Sequence, residues 1–168
     1  MLWDPEYNLL WAVGDYQLRA YAYTGTTADP ALELQYSVNL SSNWGHDLSA
    51  YYGHKELLLI SNGAQSVVYN KETRTFSTLY AGSEFLNYSA VKGFSMLPFG
   101  NGGELFAVVC ADGKAAMEVG EIDRDWRTRT VYFVLKKQEN GTTVYEGLHR
   151  GGSADQYYKA RLWNKDYQ

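Results

Sequence analysis

Three short apolar runs recur at one spacing along the 168-residue chain. Leu9-Leu10-Trp11-Ala12-Val13, Leu57-Leu58-Leu59-Ile60 and Leu105-Phe106-Ala107-Val108-Val109 begin at intervals of 48 residues. Tyr21 and Tyr69, in the runs that follow the first two, keep the same offset. Each run is of strand length, and turn residues follow it: Gly14-Asp15, Ser61-Asn62-Gly63 and Asp112-Gly113. A period of about 40–50 residues built from short strands is the sequence signature of a four-stranded propeller blade. The expected fold is therefore all-β, with β-propeller-like repeats of about 48 residues. Three four-stranded blades would form a partial ring within one domain, 1–168, in units of about 3–44, 45–90 and 91–168.

The segments between the apolar runs support the same reading. Gln17–Tyr23 and Leu32–Val38 alternate polar with apolar, as half-buried strands do. Ser66–Tyr69 and Phe76–Leu79 complete the second unit. In the third unit Ala115–Val119 is a weak strand, and Glu121–Arg129 reads as an insertion before the strand Thr130–Leu135. Asn140-Gly141 is the strongest two-residue hairpin signal in the chain and joins that strand to Thr143–Glu146. Gln156–Trp163 alternates once more and is expected to be a last strand. No segment sustains a 3.6-residue period. Fifteen Tyr, five Trp and six Phe against three Pro suit pleated, half-buried surfaces.

Three blades alone leave two apolar faces without a neighbour, because each blade buries its faces against the next. The expected remedy is a homodimer that closes the ring, or a missing N-terminal half. A net charge of −4 and the lack of any Lys/Arg run argue against a nucleic-acid partner. No stretch approaches the roughly 18 apolar residues that span a bilayer, so no membrane partner is expected. The N-terminus MLWDPEYNLLW has neither the basic region nor the apolar core of a signal peptide. The chain is expected to be cytoplasmic if complete, and periplasmic or secreted if it is a fragment of an exported protein.

WDPEYNLLWAVGDYQLRAY, GHDLSAYYGHKELLLISNG, VKGFSMLP and YYKARLWN stand in that order along the chain. Together they resemble the C-terminal half of an uncharacterised bacterial β-propeller-like family, a domain of unknown function. The resemblance runs from Trp3 to Gln168. It implies a ring of about six blades with several inner-strand histidines facing a common channel. Only His46 occupies such a Gly-His-Asp context here, and the family supplies no established activity.

His46-Asp47 lies just before the apolar strand of the second unit, where inner strands begin and propellers bind ligands. His46 is a weak metal-ligand candidate or a general base, with Asp47 to orient its ring; the alternative is a polar pair that fixes the angle between blades. Lys92 comes 13 residues before Leu105, much as His46 comes 11 before Leu57, so the two are expected to project together from neighbouring units. Lys159 and Arg161 alternate onto one face, and His149 stands in a loop beside Arg150. His46, Lys92, Lys159 and Arg161 would form a positive cluster in an acidic protein. Such a cluster suits a carboxylate-bearing sugar or peptide, because Arg binds carboxylate through two parallel hydrogen bonds. The plainer alternative pairs Lys159 and Arg161 with Asp112 or Glu104.

None of the three histidines has ligand-motif spacing, so no metal and no cofactor is expected. Cys110 lies inside an apolar strand and reads as an inert buried thiol. No nucleophile elbow occurs. The favoured function is a propeller-type binding protein for an anionic carbohydrate or peptide. The alternatives are a metal-assisted polysaccharide lyase or hydrolase, and a structural half-propeller that pairs through its open edges. Enzymatic activity is left undecided by the sequence.

Overall fold

The computed structural model describes residues 1–78, 91–110, 130–151, 157 and 159–162, without the side chains of 130 and 149. The described residues form three separate four-stranded sheets and no helix. Sheet 1 holds β1 (Leu2–Asp4), β2 (Leu9–Val13), β3 (Gln17–Tyr23) and β4 (Leu32–Asn39). Sheet 2 holds β5 (Asp47–Ala50), β6 (Leu57–Ser61), β7 (Ser66–Asn70) and β8 (Thr75–Thr78). Sheet 3 holds β9 (Val91–Phe99), β10 (Gly103–Cys110), β11 (Thr130–Glu139) and β12 (Thr142–Gly151). In each sheet the strands pair antiparallel in chain order, and none closes into a barrel.

Local chemistry fixes the turns. The Gly14 N–H donates to the Gln17 carbonyl at 2.8 Å, and the Asn62 N–H donates to the Gln65 carbonyl at 2.9 Å. These are the same hairpin, displaced by one repeat. In the second copy Asn62 Oδ1 also accepts from the Ala64 and Gln65 N–H groups at 3.0 and 2.9 Å, a side chain standing in for backbone. Asn140 (φ 51°) and Gly141 (φ 78°) join β11 to β12 with Glu139 opposite Thr142. That is the left-handed two-residue turn whose twist matches paired strands.

Two apolar layers hold the sheets together. Leu9, Trp11, Leu18 and Ala20 of sheet 1 pack on Leu58, Ile60, Val67 and Tyr69 of sheet 2. Leu59 and Val68, on the other face of sheet 2, pack on Phe94, Met96, Phe106 and Val108 of sheet 3. Sheet 2 is thus covered on both faces, which is why β6 is apolar at nearly every position instead of alternating. β4 is the opposite case, largely exposed along its length. At one edge of the stack β5 touches β1 on one side and β9 on the other.

The structure corrects one expected element. Within the expected last strand, Gln156–Trp163, the described residues are Tyr157, in a single bridge, and Lys159–Leu162, which show no strand pairing, so the expected ladder is absent across Lys159–Leu162. The segment follows side-chain partners, described below, in place of a backbone ladder. The expected strand Ala115–Val119, the insertion Glu121–Arg129, and Leu79 and Asp112 lie outside the described residues. Among the described residues no helix is long and apolar enough to cross a membrane.

Candidate functional site: a buried carboxylate with exposed cations

Asp47 opens β5 and is buried, at 2% exposure. Its position is set by a hydrogen-bonded seam between β5 and β9. The Asp47 N–H donates to Ser61 Oγ at 3.1 Å, and Ser61 Oγ donates to the Val91 carbonyl at 2.9 Å. Asp47 Oδ2 accepts from the Phe94 N–H at 2.7 Å, and Ser49 Oγ donates to the Phe94 carbonyl at 2.8 Å. Asp47 and Ser49 stand two residues apart on one face of β5, so both backbone groups of Phe94 find side-chain partners. These bonds join β5 and the end of β6 in sheet 2 to β9, the first strand of sheet 3, where no ladder connects them.

The other carboxylate oxygen meets cations from the distant end of the chain. Arg161 Nη2 donates to Asp47 Oδ1, and Lys159 Nζ lies 3.4 Å from the same atom. Their side chains remain 44% and 37% exposed, while the carboxylate is enclosed. The segment that carries them lies against β9. Ser95 Oγ accepts from the Leu162 N–H at 2.8 Å. A Cβ placed on Gly93 would stand 3.1–3.4 Å from backbone atoms of Lys159 and Ala160, so glycine admits the close approach.

Lys92, on β9, is 1% exposed, and its Nζ contacts His46 Nε2. Burial, with Lys159 nearby, depresses the Lys92 amine from its ordinary 10.5 to about 8. Burial and the same two lysines lower the His46 pKa in turn. At neutral pH the imidazole is neutral, with its Nε2 lone pair toward the ammonium and its proton therefore assigned to Nδ1. A metal ion on Nε2 would have to displace that ammonium. Among the described residues no group of three His, Cys, Asp or Glu side chains converges.

Five of the six expected site residues thus meet: His46, Asp47, Lys92, Lys159 and Arg161. Two expectations change. Lys159 and Arg161 pair with Asp47 and not with Glu104, whose carboxylate is held by Lys136 at 2.5 Å and by the Tyr51 hydroxyl at 2.7 Å. The expected positive cluster accordingly has an enclosed anion, Asp47, among its cations. His149 stands on β12 opposite Tyr132, in a strand instead of a loop, and its side chain lies outside the described set.

Ser49, Ser61 and Gly93 build the site yet carry no sequence signal, being small residues inside strands. Trp44 is different: an aromatic just before Gly45-His46-Asp47, it reads from the sequence as a candidate stacking face for a sugar. Two residues before His46, it is 43% exposed in the left-handed region at φ 61°, with its N–H held by Asp15 Oδ1 at 2.6 Å. A bulky residue rarely adopts that conformation without tertiary support.

A cleft of about 440 Å³ lies at the other end of β5, lined by Leu2, Trp3, Tyr51, Tyr52 and His54 among others. It borders none of the Asp47 cations. Comparisons with protein-family models, with curated proteins and with solved structures gave no match.

Proposed function

We propose that this protein is a non-catalytic binding module for a small anionic ligand, its three sheets being blades of a propeller arc with the Asp47 cluster on the channel side. The blade reading rests on the repeated meander, on first strands that neighbour one another, and on the resemblance to the bacterial propeller-like family. The observation that carries the binding reading is that two partly exposed cations, Arg161 and Lys159, are fixed by an enclosed carboxylate. A guanidinium offers five N–H donors in a planar fork. Asp47 occupies part of that fork and holds the group in place, while its exposed part faces solvent. A ligand carboxylate then meets a pre-positioned partner and forfeits little side-chain freedom on binding. The exposed Trp44 ring, two residues from His46, offers a stacking face and favours a carboxylate-bearing sugar over a peptide.

Calorimetric titration with galacturonate oligomers tests this. Binding should weaken as salt is raised, and neutral glucose oligomers should not bind. Arg161→Gln should reduce affinity about tenfold or more, the loss of one charge-assisted contact. Equal affinity of Arg161→Gln and the parent chain would overturn the assignment. One observation favours an enzyme as the second reading: a neutral imidazole meets an amine with a pKa of about 8 beside an arginine. Depolymerisation of polyuronate that His46→Gln abolishes would decide for it.

A further inference from the structure

At the end of β5 away from Asp47, sheets 1 and 2 are tied together twice. Lys71, just after β7, meets Asp4 at the end of β1 at 2.6 Å. Lys55, between β5 and β6, meets Glu6, just after β1, at 2.8 Å. In both pairs the carboxylate comes from sheet 1 and the ammonium from sheet 2. The first pair is enclosed, and the second stands in water. Both border the cleft of about 440 Å³, whose size is that of a small-molecule site.

The rest of the wall is largely apolar. Ala50 and Leu58 stand opposite each other across β5 and β6, on the face of sheet 2 that meets sheet 1. Leu2 of β1 borders the cleft from the side of sheet 1. Tyr51 and Tyr52, which follow β5, add ring surface, and the Tyr51 ring meets His54 edge-on, with centroids 5.2 Å apart. Such a wall favours a flat aromatic body, which packs on rings edge-on or offset.

Charge on this wall is paired internally. Asp4, Glu6, Lys55 and Lys71 are its Asp, Glu and Lys residues among the described residues, and each is bound to another of the four. His54 has the Glu56 carboxylate at 3.4 Å. A charged ligand would leave water here without a spare counter-charge, and an uncharged one avoids that cost. The enclosed pair also fixes the separation of the two walls, so the cleft is formed before anything enters it.

We infer that this cleft is a second binding site, for a small uncharged aromatic molecule. It is independent of the uronate reading: it shares no side chain with the Asp47 cluster, and it calls for a ligand without charge.

Fluorescence titration of the whole chain with N-phenylnaphthylamine, an uncharged two-ring probe that brightens in apolar surroundings, tests it. The signal should saturate at one probe per chain and should not weaken as salt is raised. Naphthol should displace the probe, and decanol should not. Ala50→Phe places a ring in the space the ligand would take, and Leu2→Lys brings an unpaired charge to the opposite wall. Each should weaken probe binding about tenfold or more, with circular dichroism confirming the fold. Arg161→Gln at the Asp47 cluster and Leu34→Glu on exposed β4 should leave it unchanged. Four results would overturn the inference: no saturable binding by the parent chain, parental affinity in folded Ala50→Phe and Leu2→Lys, loss of binding in Arg161→Gln or Leu34→Glu, or displacement by decanol as readily as by naphthol. The salt, stoichiometry and displacement measurements need only the parent chain, so they decide the matter even where a variant does not fold.

Discussion

Among the described residues two carboxylates near first strands are enclosed, and they are finished differently. Asp4 ends β1 and joins sheet 1 to sheet 2: Oδ2 accepts from Trp11 Nε1 at 3.1 Å and from Lys71 Nζ at 2.6 Å, and Oδ1 accepts from the Tyr7 N–H at 3.3 Å. Its cation is as enclosed as it is, at 4% exposure, and lies 4.1 Å from the Tyr7 ring centroid. Asp47 begins β5 and joins sheet 2 to sheet 3, but its cations stay partly in water. A buried pair with both members enclosed can act only on the fold. A buried anion with solvent-facing cations can also act on something outside. The two stand at opposite ends of their first strands, and exposure of the cation is what separates their roles.

The largest expected effect sharpens that contrast. Asp4→Ala leaves Lys71 enclosed without its counter-charge and Trp11 Nε1 without an acceptor. Breaking one side of a buried ion pair costs about 3–5 kcal/mol. Asp47→Ala leaves the Phe94 N–H without its acceptor, but Arg161 and Lys159 can turn into water, so about 1–3 kcal/mol is expected. Urea denaturation at pH 7 measures both. An equal or larger loss at Asp47 would break the comparison.

Lys92 gives the next effect, and its sign follows from linkage. With a folded pKa of about 8 against the ordinary 10.5, Lys92 sheds its proton in the native state while the unfolded chain still holds it. The unfolded state binds more protons across that window, so stability rises as pH rises through it. Between pH 7.5 and 9.5 the gain is about 2 kcal/mol by the same relation. Tyr7 and Tyr69, whose pKa values are raised by burial, work in the opposite sense above about pH 10, which sets the upper limit of the window. Lys92→Met should flatten the rise. The lowered His46 pKa acts on the acid side: stability is held above about pH 6.5 and declines as pH falls below it, because the unfolded imidazole takes up its proton first. Melting temperatures of the parent chain and Lys92→Met across this range check the prediction, and parallel curves would refute it.

What the sequence made legible was local or periodic. The Gly14 and Asn62 hairpins, the Asn140-Gly141 turn and the doubly buried β6 follow from turn chemistry and hydrophobic pattern. The meeting of Lys92 with His46 was also readable, because both precede an apolar strand by similar distances in successive repeats. The rest depended on contacts that pattern does not encode. Asp4-Pro5 signals a turn whether or not the carboxylate is buried, and its partner Lys71 is 67 residues away. Lys159–Leu162 alternates like a strand, yet it is held by Asp47 and Ser95 side chains. A period of two records which side chains share a side, and it did place Lys159 and Arg161 together; it does not record whether a neighbouring backbone supplies a ladder.

Gly93 offers the smallest stability effect and the finest test of the distinction between the two carboxylates. A methyl there meets the Ala160 nitrogen at 3.2 Å and its carbonyl oxygen at 3.1 Å, tighter than ordinary contact. The neighbour to be displaced is a segment outside any ladder, so it can shift by a few tenths of an ångström without unpacking sheet 3. Gly93→Ala should therefore cost no more than about 1 kcal/mol, within the range of mild backbone substitutions. The shift moves Lys159 and Arg161 relative to Asp47, and a bidentate carboxylate contact tolerates little displacement of its fork. Uronate affinity should fall severalfold while the urea midpoint barely moves, as calorimetry and denaturation of the same preparation would show. No substitution around Asp4 should separate binding from stability in this way. If Gly93→Ala lowers the two in proportion, the Asp47 cations are part of the fold in the same sense as Lys71, and the contrast between the two sites dissolves.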